Sequence, residues 1–166
     1  MNKCVFLDRD GVLNVERGKY TYKVEDFKII DGVVEALKTL KKKGYLIIVI
    51  TNQAGISRGL YSREQMNACH HILQNECENL IDDIYYSPYH PTVTESISRK
   101  PDSLMFEKAI AKYDINCEVS WMVGDKERDL IPAKKLGIAT ILVGNEASHF
   151  ADHNALNLIN ATNIIE

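Results

Sequence analysis

Lys3-Cys4-Val5-Phe6-Leu7-Asp8-Arg9-Asp10-Gly11 decides how the rest of the chain is read. Its first half is short, apolar and β-prone, and it stops against a charged turn ending in glycine, the way a buried strand gives way to a loop. A second run, Leu46 to Ile50, is continuous and β-branched, as expected of a strand covered on both faces. Between the two, Asp31-Gly32 precedes Val33, Leu37 and Leu40 at helical spacing, and Lys41 to Lys43 followed by Gly44 supply a C-terminal stop. The unit is strand, helix, strand.

The alternation continues outward. Ser62 with Gln65 three residues later forms a capping-box signature that opens a helix running to about Asn79. Ile84 to Tyr86 reads as a third strand, and Ser87 to Pro101 as an irregular, proline-bearing inserted loop. Ser103 to Tyr113 is helical, Ser120 to Val123 a strand, Ile131 to Leu136 a short helix ended by Gly137, and Ala139 to Val143 a strand. The tail after Gly144 reads as a helix and a last edge strand near Asn163 to Ile165. Together these predict an α/β fold of three layers, Rossmann-like, with a central parallel sheet and helices on both faces. A length of 166 residues, 45% hydrophobic, fits one domain over 1–166 with the inserted loop at 87–101.

The formal net charge of −3 gives no electrostatic reason to expect nucleic acid or an anionic membrane as partner, so an anion site would be local. Cys4, Cys69, Cys77 and Cys117 are scattered without a C-x-x-C pair and read as reduced, mostly buried thiols. The apolar stretch at the N-terminus is too short for a signal-peptide core and no run approaches a membrane span. A cytoplasmic monomer is the expectation.

In open α/β sheets ligands bind beyond the carboxyl ends of the strands. Asp8 and Asp10 follow the first strand, Thr51-Asn52-Gln53 the second, and Gly124-Asp125 a later one. If the chain stays extended through Arg9, the Asp8 and Asp10 side chains project to the same side and repel unless something positive lies between them. Mg²⁺, which takes oxygen ligands, resolves this with Asp125 approaching from its neighbouring strand. The absence of nearby His or Cys argues against zinc there. For phosphate-ester hydrolysis, Asp8 is a candidate nucleophile, Asp10 a candidate acid and base, and Thr51 with Lys100 candidate holders of the phosphoryl oxygens. Each also has a plain structural reading: Asp10-Gly11 as a turn, Thr51 as a backbone hydrogen-bonding residue, Gly124-Asp125 as the start of a helix, Lys100 as a solvated loop lysine. His70-His71 fall inside a predicted helix, where neighbours face different directions, and read as structural.

As an ordered set, Asp8-Arg9-Asp10-Gly11, Thr51, Lys100 and Gly124-Asp125-Lys126-Glu127-Arg128-Asp129 resemble the four motifs of the haloacid-dehalogenase superfamily. More narrowly, Phe6 to Asn14, Thr51 to Gly59, Tyr85-Tyr86-x-Pro88, Arg99-Lys100-Pro101 and Met122 to Lys126 look like the D-glycero-D-manno-heptose 1,7-bisphosphate phosphatases and their histidinol-phosphatase relatives, over about residues 3 to 143. The resemblance implies Mg²⁺-dependent removal of the C7 phosphate from a heptose bisphosphate on the route to nucleotide-activated heptose. Histidinol phosphate is the alternative substrate, and a non-catalytic phosphate-binding scaffold the remote one. It further implies Asp8 as nucleophile, Asp10 as acid and base, and Asp8, the Asp10 carbonyl and Asp125 on Mg²⁺. Thr51 and Lys100 would hold the phosphoryl group. Arg99, Asn52, Gln53, Lys126 and the loop Glu16-Arg17-Gly18-Lys19-Tyr20 would recognise the rest of the sugar. The short intervals after Asp10 and Thr51 leave no room for a large cap domain.

One departure stands out. Relatives often carry a structural zinc on the loop after Tyr-Tyr, and this chain has Ser87, Tyr89, Ser96 and Ser98 where their ligands fall. Serine hydroxyls are poor zinc ligands and His90 alone cannot make a four-coordinate site, so a loop without structural zinc is expected.

Overall fold

A computed structural model describes residues 1–166. Six parallel strands form one sheet in the order β3-β2-β1-β4-β5-β6: β1 (Cys4–Leu7), β2 (Leu46–Asn52), β3 (Asp83–Ser87), β4 (Trp121–Gly124), β5 (Ala139–Val143) and β6 (His153–Ala155). Chain order reverses at β1, which pairs with β2 on one side and β4 on the other. A crevice therefore opens beyond the carboxyl ends of β1 and β4, the switch point where such sheets bind ligands.

Strands β1, β2, β4 and β5 are mostly apolar because both faces are covered. Val5, Leu7, Ile47, Val49, Val123 and Ile141 point into a core with α1 (Val33–Lys42), α2 (Arg63–Glu76) and α5 (Leu158–Ala161). The alternate residues Cys4, Phe6, Ile48, Ile50, Met122 and Leu142 meet α3 (Leu104–Tyr113) and α4 (Glu127–Lys135) on the other face. The predicted capping box forms: Gln65 N–H donates to Ser62 Oγ and Ser62 N–H to Gln65 Oε1. The architecture is the three-layer α/β fold expected, with no large cap. Cys4, Cys69 and Cys77 are buried and all four thiols are free. No helix is long and apolar enough to cross a membrane.

The tail departs from the sequence reading. The edge strand is β6 at His153–Ala155, it precedes the short helix α5, and Asn163 to Ile165 form no strand. Ile165 is apolar because it packs into the core beyond α5. Helix α4 also begins a turn earlier than Ile131, at Glu127, with Lys126 in the capping position.

Candidate active site

Asp8 follows directly on β1, and its N–H still bonds the Val123 carbonyl on β4 at 3.1 Å. Beyond it the chain turns instead of staying extended: the Leu13 and Asn14 amides both donate to the Arg9 carbonyl. The carboxylates of Asp8 and Asp10 accept from different donors on either side of this turn.

Asp8 Oδ1 accepts from Lys100 Nζ at 2.8 Å. The same ammonium donates to the Ile50 carbonyl at 2.6 Å and pairs with Asp129, its Nζ 2.7 Å from Oδ1. Lys100 is 1% exposed. Burial disfavours its charge, yet Asp129 and Asp8 together hold its pKa above the ordinary lysine value. Burial and the charge of Asp129 push Asp8 up to about 7, against the pull of Lys100. Burial, with Asp129 again, pushes Asp125 up to about 6.

Asp8, Asp125 and Asp129 offer oxygens that all lie within 4.8 Å of one another. Asp125 Oδ1 is buried with no hydrogen-bond partner. A side chain at Gly11 would put its Cβ 2.6 Å from Asp125 Oδ2, so the turn after β1 closes directly on this carboxylate. A dense all-oxygen cluster with an orphaned oxygen and one lysine for three acids fits a hard divalent cation.

Asp10 has its own set of donors. Arg9 Nη2 and Asn14 Nδ2 each donate to its Oδ1 at 2.9 Å, while Arg9 Nε at 3.2 Å and Gln53 Nε2 at 3.3 Å hold Oδ2. Arg9 is fully buried and also donates to the Thr21 carbonyl, with the Phe27 ring 5.4 Å from its guanidinium carbon. His70, from α2, lies 3.4 Å from Arg9 Nη1, and burial together with that guanidinium lowers its pKa to about 3.

The residues expected to follow the second strand fall on its end instead, Thr51 and Asn52 closing β2 and Gln53 just after it, and they bond within the protein. Thr51 Oγ1 accepts from Gln53 Nε2 at 3.0 Å. Asn52 clamps the backbone of Lys100, accepting its N–H at Oδ1 and donating Nδ2 to its carbonyl, each at 3.0 Å. A cavity of about 600 Å³ is lined by Asp10, Glu16, Gly18, Lys19, Tyr20, Thr21 and Lys126, bringing most of the predicted recognition loop to the site. Arg17 is directed elsewhere, paired with Asp26 at 2.6 Å. Lys126 pairs with Glu146 at 3.1 Å and lies 3.9 Å from Asp125. Arg99 donates to the Tyr89 carbonyl and lines a separate cavity of about 440 Å³ with Pro91, Ser96 and Pro101. In the inserted loop, the hydroxyls of Ser87, Ser96 and Ser98 hydrogen-bond in a chain at 3.0 and 2.9 Å.

The sequence reading assigned no role to Asp129, Arg9, Asn14 or Tyr61. Asp129 carried a usable signal: it is the third residue of a helix whose first amides need a carboxylate, and its Oδ2 accepts from Lys126 N–H at 3.1 Å. Arg9 had none, since arginine is ordinarily exposed.

Residues 8–143 match the family described as haloacid dehalogenase-like hydrolase. The chain is 41% identical over 147 residues to the D-glycero-beta-D-manno-heptose-1,7-bisphosphate 7-phosphatase of Haemophilus ducreyi, covering 83% of this chain and 80% of that protein. It is 40% identical over 145 residues to the D-glycero-alpha-D-manno-heptose-1,7-bisphosphate 7-phosphatase of Photorhabdus laumondii, covering 82% and 79%. In fold it resembles the D,D-heptose 1,7-bisphosphate phosphatase of B. bronchiseptica, a structure complexed with magnesium and phosphate, with a TM-score of 0.88 over 98% of this chain and 97% of that one at 24% identity.

Proposed function

The chain belongs to the haloacid dehalogenase-like hydrolases and is a phosphoric monoester hydrolase, and from that premise we propose that it removes the C7 phosphate of D-glycero-D-manno-heptose 1,7-bisphosphate, with Mg²⁺ and through an aspartyl-phosphate, in nucleotide-activated heptose biosynthesis. The observation that carries the reading is Asp8: buried at the β1 end, paired with Lys100, and set beside two further carboxylates.

In the first step an Asp8 carboxylate oxygen bonds to phosphorus and the bond to the sugar oxygen breaks. The electron pair stays on that oxygen, which takes a proton from Asp10. In the second, water gives its proton to the Asp10 carboxylate and attacks phosphorus, the Asp8–phosphorus bond breaks, and inorganic phosphate leaves. Lys100 and Thr51 face the charge spread over the phosphoryl oxygens. Asp8, Asp125 and the Asp10 carbonyl would hold Mg²⁺, with Asp129 completing the acidic wall. The bound cation supplies positive charge against the phosphoryl group. Lys19, Tyr20 and Lys126 in the larger cavity, with Arg99, are the groups offered to the sugar and its second phosphate.

The test is phosphate release with Mg²⁺ over both heptose 1,7-bisphosphate anomers, fructose 1,6-bisphosphate and histidinol phosphate. A heptose bisphosphate is expected to have the highest kcat/KM. Much faster turnover of histidinol phosphate sinks the named substrate. Asp8→Asn is expected to lower turnover by at least about 10³-fold by removing the nucleophile.

A further inference from the structure

We propose that Tyr61 is a positioning residue for the acid and base Asp10, acting through the side-chain amide of Gln53. The inference rests on the phosphatase reading above, which gives Asp10 a proton to deliver.

Tyr61 Oη donates to Gln53 Oε1 at 2.7 Å, while Gln53 Nε2 donates to Asp10 Oδ2 at 3.3 Å and to Thr51 Oγ1 at 3.0 Å. The three groups make a buried line from α2's entry to the catalytic turn, with Gln53 2% and Tyr61 6% exposed. An amide can sit in either of two orientations of nearly equal shape. Turned over, Gln53 would present its carbonyl oxygen to the Asp10 carboxylate and its NH₂ to the phenol. With the Asp10 carboxylate repelling a carbonyl oxygen, the Tyr61 hydroxyl, which donates to Oε1, reinforces the orientation that gives Asp10 an N–H. Burial raises the Tyr61 pKa well above the ordinary phenol value, which keeps the donated proton in place.

The phenol itself has little freedom. Its ring stacks on Tyr22 with centroids 4.9 Å apart and 7° between planes, and Tyr20 leans on it at 5.8 Å. On the remaining side lies Gly55, where a Cβ would fall 2.2 Å from Tyr61 Cε1, so the ring occupies space that only glycine leaves open. For Asp10 the consequence is specific. Oδ1 has two short bonds, but Oδ2 is held only by Arg9 Nε and by Gln53. Freeing the amide removes one of the two donors that hold Oδ2.

Tyr61→Phe deletes the hydroxyl and keeps the ring. The experiment compares kcat/KM for heptose 1,7-bisphosphate, whose alkoxide needs a proton to leave, with that for p-nitrophenyl phosphate, whose leaving group departs without one. We expect a loss of about tenfold for the sugar phosphate and under about threefold for the aryl ester, since a displaced acid matters only where a proton is delivered. Equal losses on the two substrates, or none, overturn the proposal. A second readout is independent of activity: the ¹H–¹⁵N signals of the Gln53 side-chain amide should shift and broaden in Tyr61→Phe, and unchanged signals overturn the link. A wild-type protein that cleaves the aryl ester but not the heptose counts against the named substrate alone, and the amide signals then decide the positioning role.

Discussion

The two aspartates of the turn after β1 lie two residues apart in opposite electrostatic settings. Around Asp8, acids outnumber bases: Asp125 and Asp129 crowd it, Lys100 is the one buried cation, and an oxygen of Asp125 has no partner. Around Asp10, donors are in surplus, with Arg9, Asn14 and Gln53 together filling both oxygens. One side has an unmet demand for positive charge, and the other is already complete. The turn at Arg9 thus separates an acid-rich half of the site from a half whose carboxylate is already supplied with donors. Lys100→Met and Arg9→Met test this most severely. Lys100→Met strands buried carboxylate charge and should cost about 3–5 kcal/mol in metal-free urea unfolding, while Arg9→Met leaves the partly exposed Asp10 with Asn14 and Gln53 as donors and should cost less. Excess Mg²⁺ should recover a large part of the loss in Lys100→Met, where a cation can replace the ammonium, and none in Arg9→Met. Equal recovery in both would break the comparison.

The charged residue types of the site, Asp10 among them, could be read from sequence. Asp8, Lys100 and Asp125 follow strand ends or a short motif, and their types announce charge chemistry. Their shared arrangement was not readable, because Lys100 reaches Asp8 across 92 positions of chain and meets Asp129 only once α4 is docked on the sheet. Asn52 and Gln53, read from the resemblance as substrate-recognition residues, also clamp the Lys100 backbone and brace Asp10 respectively. The strands and the Ser62 capping box were legible because runs of apolar residues and local hydrogen bonds are themselves local. Strand β6 was not: it is three residues long, two of them exposed, and it exists because β5 offers it an edge. The apolar tail residues that suggested a strand serve the core instead.

The Asp10 half should show its character in acid. His70 beside Arg9 has its pKa lowered from 6.5 to about 3, by burial first and the guanidinium second. The unfolded chain therefore takes up a proton below its own pKa that the folded chain refuses. This contribution to stability is complete above pH 6.5 and is lost as pH falls from there toward 3. At about pH 4.5 the loss amounts to about 3 kcal/mol, and His70→Gln, which cannot titrate, should show a correspondingly flatter decline in urea-unfolding free energy between about pH 7 and 4.5. Parallel curves for the two proteins would mean that the histidine is protonated within the folded network.

The smallest effect runs in the opposite direction, as a gain. Asp125 contributes a buried charge beside Asp129, and one of its oxygens has no donor, so without metal this side chain opposes folding. Asp125→Asn keeps the shape and removes the charge, and should stabilise the metal-free protein by about 1 kcal/mol at neutral pH. The same substitution should abolish most of the rise in Tm that saturating Mg²⁺ gives the wild type, a rise of about 5 °C or more at a hundredfold excess over Kd. No single-site change around Asp10 should combine those two signs, because no carboxylate there lacks donors. A metal-free gain without loss of the Mg²⁺ response would place the cation elsewhere, and a loss of both stability and response would make Asp125 a packing residue whose charge is already compensated by Lys126 and Arg128.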